Sequence, residues 1–251
     1  MSIPIIDAHA HYGKWFFPIY ASDMRSIKDL MLRFNMKAAI CSSSKAIVYN
    51  LIEGNRELFQ SLDPSSGIYG YVTVNPNYLE LSKDEIERYL ELPEFRGVKF
   101  HTTYSGVPID SKEFRELIEY AEPYDKPFLL HTYSQKDVRD VENLAKRFGG
   151  VKFIMGHMGG TETSWTGKNW KSAISVASEY SNIYLEICMT LLEAGKIEEA
   201  VERAGSQRIL YGSDMTLLNP AHTIGMIMSS EISEEDKERI FYINAKGLFR
   251  I

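Results

Sequence analysis

Two cysteines in 251 residues are too few for a disulfide framework. Both, Cys41 and Cys188, sit inside apolar strand-like runs, where buried free thiols are expected. No apolar stretch approaches the length of a membrane-spanning helix. Neither sign of charge dominates: 28 Lys and Arg stand against 34 Asp and Glu, a formal net charge of −6. That balance argues against a general binder of nucleic acid or of anionic membranes. No linker, low-complexity tract or charge block interrupts the chain, so one domain over residues 1–251 is expected. A first strand starting by residue 3 leaves no room for a signal peptide, and a cytoplasmic protein is the expectation.

What is present is a repeated alternation. Eight short runs rich in Val, Ile, Phe, Tyr and Leu read as strands: Ile3–His9, Lys37–Ser43, Ile68–Val74, Gly97–Thr102, Pro127–Thr132, Val151–His157, Asn182–Met189 and Arg208–Ser213. Several are apolar on both faces, as in Phe128-Leu129-Leu130, which suits a parallel sheet covered on both sides. Between them, apolar residues recur every three or four positions, over Ser22–Phe34, Ser111–Tyr120, Ser134–Phe148 and Leu191–Ala204, marking amphipathic helices. Ser233–Phe249 reads as one or two closing helices behind a Ser233-Glu234-Glu235-Asp236 cap. Eight β-then-α units in this length predict a (β/α)₈ TIM barrel, with a doubly wound open sheet as the alternative.

Histidine is scarce, six in all, yet five stand at or near the carboxyl ends of these strands. His9 and His11 end the first, His101 the fourth, His131 the fifth and His157 the sixth; Asp214 directly follows the eighth. Barrel enzymes build their sites at that end, and scattered core histidines have no reason to choose it repeatedly. Residues i and i+2 of a strand share a face, so His9 and His11 can aim two imidazoles at one point. Imidazole and carboxylate are ligands for zinc and related divalent metals, which lower the pKa of a bound water toward neutrality. The expectation is a metal-dependent enzyme.

The ordered set Ile5-Ile6-Asp7-Ala8-His9-Ala10-His11, Gly97-Val98-Lys99-Phe100-His101, Pro127-Phe128-Leu129-Leu130-His131, Phe153-Ile154-Met155-Gly156-His157-Met158-Gly159-Gly160 and Arg208-Ile209-Leu210-Tyr211-Gly212-Ser213-Asp214 resembles the amidohydrolase superfamily. Within it the chain is similar to the amidohydrolase-related branch (amidohydrolase 2), which includes aminocarboxymuconate-semialdehyde decarboxylase. The ending Ile243-Asn244-Ala245-Lys246-Gly247-Leu248-Phe249 fits the same family. The resemblance covers nearly the whole chain and implies a (β/α)₈ barrel holding one divalent metal. It implies His9, His11 and His131 as ligands, Asp214 as an additional ligand that touches the bound water, and His157 as the group that orients or deprotonates that water. Zinc is the first expectation for the metal; manganese, iron and cobalt also suit three histidines and an aspartate.

Other residues carry competing readings. Lys99 is either a buried charge neutraliser or a carboxylated lysine bridging two metals, as in some members of the superfamily. Glu186 is expected to pair with Lys99 or another buried cation, and Asp7 to hydrogen-bond a ligand. His222 is expected at the surface. His101, Tyr12, Trp15 and Trp165 are the candidate substrate contacts, with Lys14, Phe16 and Phe17 beside them. Lys45 could meet a substrate carboxylate. The leading function is hydrolysis of a small amide, lactone or ester; the alternative is non-oxidative decarboxylation of an aromatic or unsaturated acid. Decarboxylation wants a cation to seat a carboxylate, and Arg25 is the one arginine near the strand-end loops, which favours hydrolysis. A small-molecule substrate is expected, with no nucleic-acid or membrane partner and with a homo-oligomer left open. A catalytically silent binding barrel is the third reading.

Overall fold

The eight apolar runs become eight parallel strands: β1 (Ile5–Tyr12), β2 (Met36–Ser43), β3 (Ile68–Val74), β4 (Phe95–His101), β5 (Phe128–His131), β6 (Phe153–Gly156), β7 (Ile183–Glu186) and β8 (Ile209–Leu210). The structure is a computed structural model, and it describes residues 3–20, 22–160, 169–188 and 195–251. The strands lie in chain order β1 to β8 in one sheet. Its edges meet: the Ala8 N–H donates to the Tyr211 carbonyl at 3.0 Å and the Asp214 N–H to the His9 carbonyl at 2.9 Å. Ala10 also bridges to Met215 in parallel. The result is a (β/α)₈ barrel, and the open-sheet alternative falls.

One long helix follows each strand: Met24–Arg33, Leu51–Ser61, Leu79–Tyr89, Lys112–Ala121, Gln135–Arg147, Asn169–Glu179, Lys196–Ala204 and Ala221–Ser229. Four start where a side chain takes up an orphan N–H of the first turn. Asp23, Asn50, Ser111 and Ser134 accept from Ser26, Glu53, Phe114 and Asp137, each cap contributing about 1 kcal/mol. The expected start at Leu191 lies outside the described residues. Among the described residues no helix is long and apolar enough to cross a membrane.

Alternation along the strands sorts side chains to two cores. Phe100, Phe128, Leu130, Phe153 and Met155 pack outward against the helices. Ile6, Ala8, Ala38, Ile40, Tyr71, Leu129, Ile154 and Leu210 fill the barrel floor, and the Tyr71 hydroxyl donates to the Ala8 carbonyl at 2.8 Å. The tail closes that floor from below: Glu234–Glu238, a π turn over Arg239–Ile243 and Asn244–Phe249 run on without a break. Ala245 and Phe249 join the floor cluster, so the tail packs on its own barrel. The Asn244 amide ties it to the carbonyls of Ser206 and Ile209 at 2.7 and 2.8 Å.

Two strands depart from expectation. β1 runs on to Tyr12, so His9 and His11 lie within it. A register shift against β2 between Asp7 and Ala10 separates the floor residues Ile6 and Ala8 from the histidines, as a bulge that re-aims side chains does. β8 is shorter than Arg208–Ser213: past Leu210 the Tyr211 N–H turns to the Ile240 carbonyl at 3.0 Å, and Ser213 is held by a side chain. Asp7 accepts the Ser213 N–H at 3.1 Å and the Ser213 hydroxyl.

Candidate metal centre and active site

The strand ends deliver His9, His11 and Asp214 to one point. Their donor atoms all lie within 4.8 Å of one another, and all three residues are buried. The Asp214 Oδ1 stands 2.9 Å from the His11 Nε2 and 3.7 Å from the His9 Nε2, yet neither ring is aligned to hydrogen-bond it. A buried carboxylate oxygen without a hydrogen-bond partner, facing two imidazole nitrogens, is what a divalent cation would complete; the set fits zinc, manganese, iron or cobalt. Asp214 reaches this position in the left-handed region, with φ 59°, which aspartate tolerates better than most residues.

Beneath this cluster, the outer nitrogens are held. The His11 Nδ1 lies 3.1 Å from the Ser42 Oγ, whose own hydrogen goes to the Ala10 carbonyl at 3.3 Å. The His9 Nδ1 lies 2.9 Å from the Glu186 Oε2. Lys99, fully buried, places its Nζ 3.0 Å from the His9 Nε2. The expected Glu186–Lys99 pair is therefore replaced: both groups take His9, on opposite nitrogens. Asp7 accepts the His9 backbone N–H at 3.0 Å, so it braces the His9 main chain.

His157 follows β6 in a left-handed turn, φ 61°. Its N–H donates to the Glu186 Oε2 at 3.1 Å, and Thr132 clamps the turn by donating to the Gly156 carbonyl at 2.6 Å and accepting from Gly159 at 3.2 Å. The His157 Nε2 is 3.0 Å from the His131 Nδ1. His131 thus meets His157 and lies outside the three-residue donor cluster, although it lines the same cavity as His11 and Asp214. Cys188, expected as an inert buried thiol, touches the His157 Nδ1 at 3.0 Å, the Glu186 Oε2 at 3.2 Å and the His9 Nδ1 at 3.4 Å.

The cavity above the cluster has about 230 Å³ and is lined by His11, Trp15, His101, Thr103, Tyr104, His131, Tyr133, His157, Asp214 and Leu217. Its walls are flat rings. His101 stacks on His131 at 3.8 Å and 16°, and His131 on Tyr133 at 5.5 Å and 7°. The buried His101 Nδ1 has no partner. Tyr104 and Tyr133 escaped the sequence reading; each follows a strand-end histidine by two or three residues, which was the available signal.

The remaining candidates scatter. Tyr12 lines a neighbouring cavity of about 520 Å³ with Lys14, Asp23 and Lys45, and Trp15 belongs to both cavities. Lys45, in the lining of that cavity, is bound to Glu53 and Glu57 at 2.8 and 2.7 Å. The exposed Phe16 and Phe17 form an aromatic cluster with the buried Trp15 and with Tyr104. Arg25 and His222 are exposed on helices. Trp165 lies outside the described residues.

Burial governs the charges. It holds the imidazoles of His9, His101 and His131 well below the usual range, lowers His11, and brings His157 down to about 4. Neutral rings keep the lone pair that a metal needs. Burial likewise lowers Lys99 to about 8 and raises Asp7 to about 7, the latter opposed by the Ser213 hydroxyl. Burial pushes Asp214 up as well, but the His11 ring beside it outweighs this and leaves the carboxylate ionised.

Comparisons with known proteins agree with this architecture. No curated protein sequence matches the chain. Among solved structures, 5-carboxyvanillate decarboxylase from Sphingomonas paucimobilis superposes with a TM-score of 0.78 at 14% identity, covering 100% of both chains. A dihydroxybenzoic acid decarboxylase from a Polaromonas species, with bound manganese and the inhibitor 2-nitroresorcinol, gives 0.73 at 18%, covering 99% of this chain and 97% of that one. A candidate 2-pyrone-4,6-dicarboxylic acid hydrolase from Pseudomonas putida gives 0.73 at 14%, covering 100% and 98%. At these identities the likeness fixes the fold. The amidohydrolase family model matches residues 6–251, and the chain belongs to the amidohydrolase family.

Proposed function

We propose that this chain is a metal-dependent non-oxidative decarboxylase of an aromatic or unsaturated carboxylic acid. The observation that carries the proposal is the site's shape: a cavity of about 230 Å³ with metal donors at its base and the rings of Trp15, His101, Tyr104 and Tyr133 for walls. Such a space suits one planar ring, oriented by a few polar groups. The structurally similar decarboxylases from Sphingomonas and Polaromonas support the same reading.

In this proposal His9, His11 and Asp214 hold the metal, with His131 as the further ligand that the family resemblance assigns. A bound divalent ion supplies positive charge that polarises oxygen atoms and stabilises developing negative charge. The protein orients the substrate by stacking it among the aromatic walls, with His101 offering its unpartnered Nδ1. The reaction adds a proton to the carbon that carries the carboxylate and releases carbon dioxide, so a proton must be relayed from water to that carbon. His157 and Asp214 are the residues assigned to move it. Zinc and manganese share the place of preferred metal, since imidazole suits zinc, carboxylate suits manganese, and the Polaromonas relative carries manganese. The substrate is a small molecule.

Hydrolysis of a small amide, lactone or ester stands as the second reading. One observation favours it: no lysine or arginine is among the described residues lining the cavity, so a substrate carboxylate would find its countercharge in the metal alone. The two readings separate on manganese- and zinc-loaded protein offered hydroxylated benzoic acids in one panel and lactones and esters in another, in deuterated water. Decarboxylation releases carbon dioxide and leaves deuterium on the ring carbon. Turnover of lactones or esters, with every acid untouched, would overturn the proposal in favour of hydrolysis.

A further inference from the structure

Glu186 and Cys188 stand two apart at the end of β7, both fully buried, and both touch the underside of the histidine cluster. Their contacts fix where the protons are. Three groups converge on the Glu186 Oε2: the His157 backbone N–H at 3.1 Å, the His9 Nδ1 at 2.9 Å and the Cys188 Sγ at 3.2 Å. The backbone N–H is a donor without choice, and with Glu186 ionised its oxygen takes the others as donors too. The His9 proton is therefore on Nδ1, which leaves Nε2 bare. With the Cys188 hydrogen given to Glu186, its sulfur can only accept from the His157 Nδ1 at 3.0 Å. The His157 Nε2 is then bare and accepts from the His131 Nδ1 at 3.0 Å, which leaves the His131 Nε2 bare in turn. The Lys99 amine, a donor, sits on the His9 Nε2 at 3.0 Å, as this assignment requires.

We infer that Glu186 and Cys188 are positioning residues that set the tautomers of His9 and His157 and, through His157, that of His131. The consequence is a metal face of lone pairs: each ligand histidine keeps its proton on Nδ1 and turns an unprotonated Nε2 inward, that of His9 becoming free for a metal once the Lys99 amine moves off it. Partners of this kind orient ligand imidazoles and are worth 10–100-fold in metal affinity. The inference rests on the proposed metal site, but its readout does not depend on any reaction.

The test is nitrogen NMR of ¹⁵N-histidine-labelled protein, first metal-free and then zinc-loaded, with zinc affinity measured in parallel. In the wild type, His9, His131 and His157 should each show a protonated Nδ1 and, metal-free, an unprotonated Nε2. Cys188→Ala should shift His157 toward the Nε2–H tautomer and weaken zinc binding roughly 10-fold or more. Cys188→Ser, which keeps an acceptor, should restore much of both and guards against a variant that merely misfolds. Glu186→Gln should disturb His9 and His157 together. Nε2–H tautomers in the wild type, or unchanged spectra and affinity in Cys188→Ala, would overturn the inference. A thiolate charge-transfer band on cobalt loading that vanishes in Cys188→Ala would also overturn it, in favour of a second metal held by Cys188, Glu186, His9 and His157.

Discussion

Gly212 gives the most quantitative handle on this architecture. A Cβ added there would lie 1.9 Å from the Glu186 Oε1 and 2.5 Å from its Cδ. Glu186 would have to retreat by about 1 Å even to reach the closest contacts side chains make. It cannot retreat freely, because it is fully buried and its other oxygen holds His9, His157 and Cys188. Overpacking a dense core costs about 1–3 kcal/mol, and stranding a buried donor or acceptor costs about 1–3 kcal/mol more. Gly212→Ala should therefore destabilise the protein by about 2–5 kcal/mol, read as a lower midpoint in urea with an unchanged slope. It should also weaken metal binding, since the His9 orientation goes with the carboxylate. Glu186→Ala in the same chain makes room for the methyl, so the double variant should be more stable than the sum of the single losses. A loss under about 0.5 kcal/mol in Gly212→Ala, the range of ordinary surface substitutions, with metal affinity intact, would refute the reasoning.

Further outcomes follow from the same geometry. His157→Asn should bind metal more weakly, because it loses the partner of the His131 Nδ1, and at saturating metal should still lose about 10²–10⁴ in turnover; wild-type rates by the same assay would remove His157 from the chemistry. His131→Ala should weaken metal binding if its Nε2 is a ligand, and equal dissociation constants by calorimetry would confine the ligand set to His9, His11 and Asp214. The metal-free protein should lose stability as pH falls from 6.5 toward 4. His157 titrates near 4 when folded against 6.5 when free, so in that window the unfolded chain binds the extra proton, worth about 3 kcal/mol at the acid end. His9, His11, His101 and His131 shift the same way, while Asp7, raised to about 7, and Glu186, also raised by burial, oppose them. Equal or greater stability at pH 5 than at pH 7, in urea titrations after chelation, would contradict this balance.

How much of this was legible beforehand depended on whether the signal was local. Strand runs, helical periods and the caps Ser111, Ser134 and Ser233 are short-range patterns, and the eight-fold alternation they form needed no long-range contact to be read. The histidines were legible because strand direction fixes which end of a barrel they reach. Two things were out of reach. The β1 bulge depends on register against β2 and moves no residue in the sequence. The partners of Glu186 and Lys99 depend on packing between strands far apart in the chain: two opposite charges inside one barrel suggest a pair, yet His9 lies between them and takes both. Cys188 reads as an apolar filler until His157 and Glu186 are seen beside it.

The central claim is that one divalent metal sits on His9, His11 and Asp214. It is tested most directly by elemental mass spectrometry of protein purified without chelator or a metal-binding tag, beside Asp214→Ala prepared identically. The account predicts close to one equivalent per chain in the wild type and almost none in the variant. No metal in the wild type after incubation with zinc and manganese, or undiminished metal in Asp214→Ala, would contradict it.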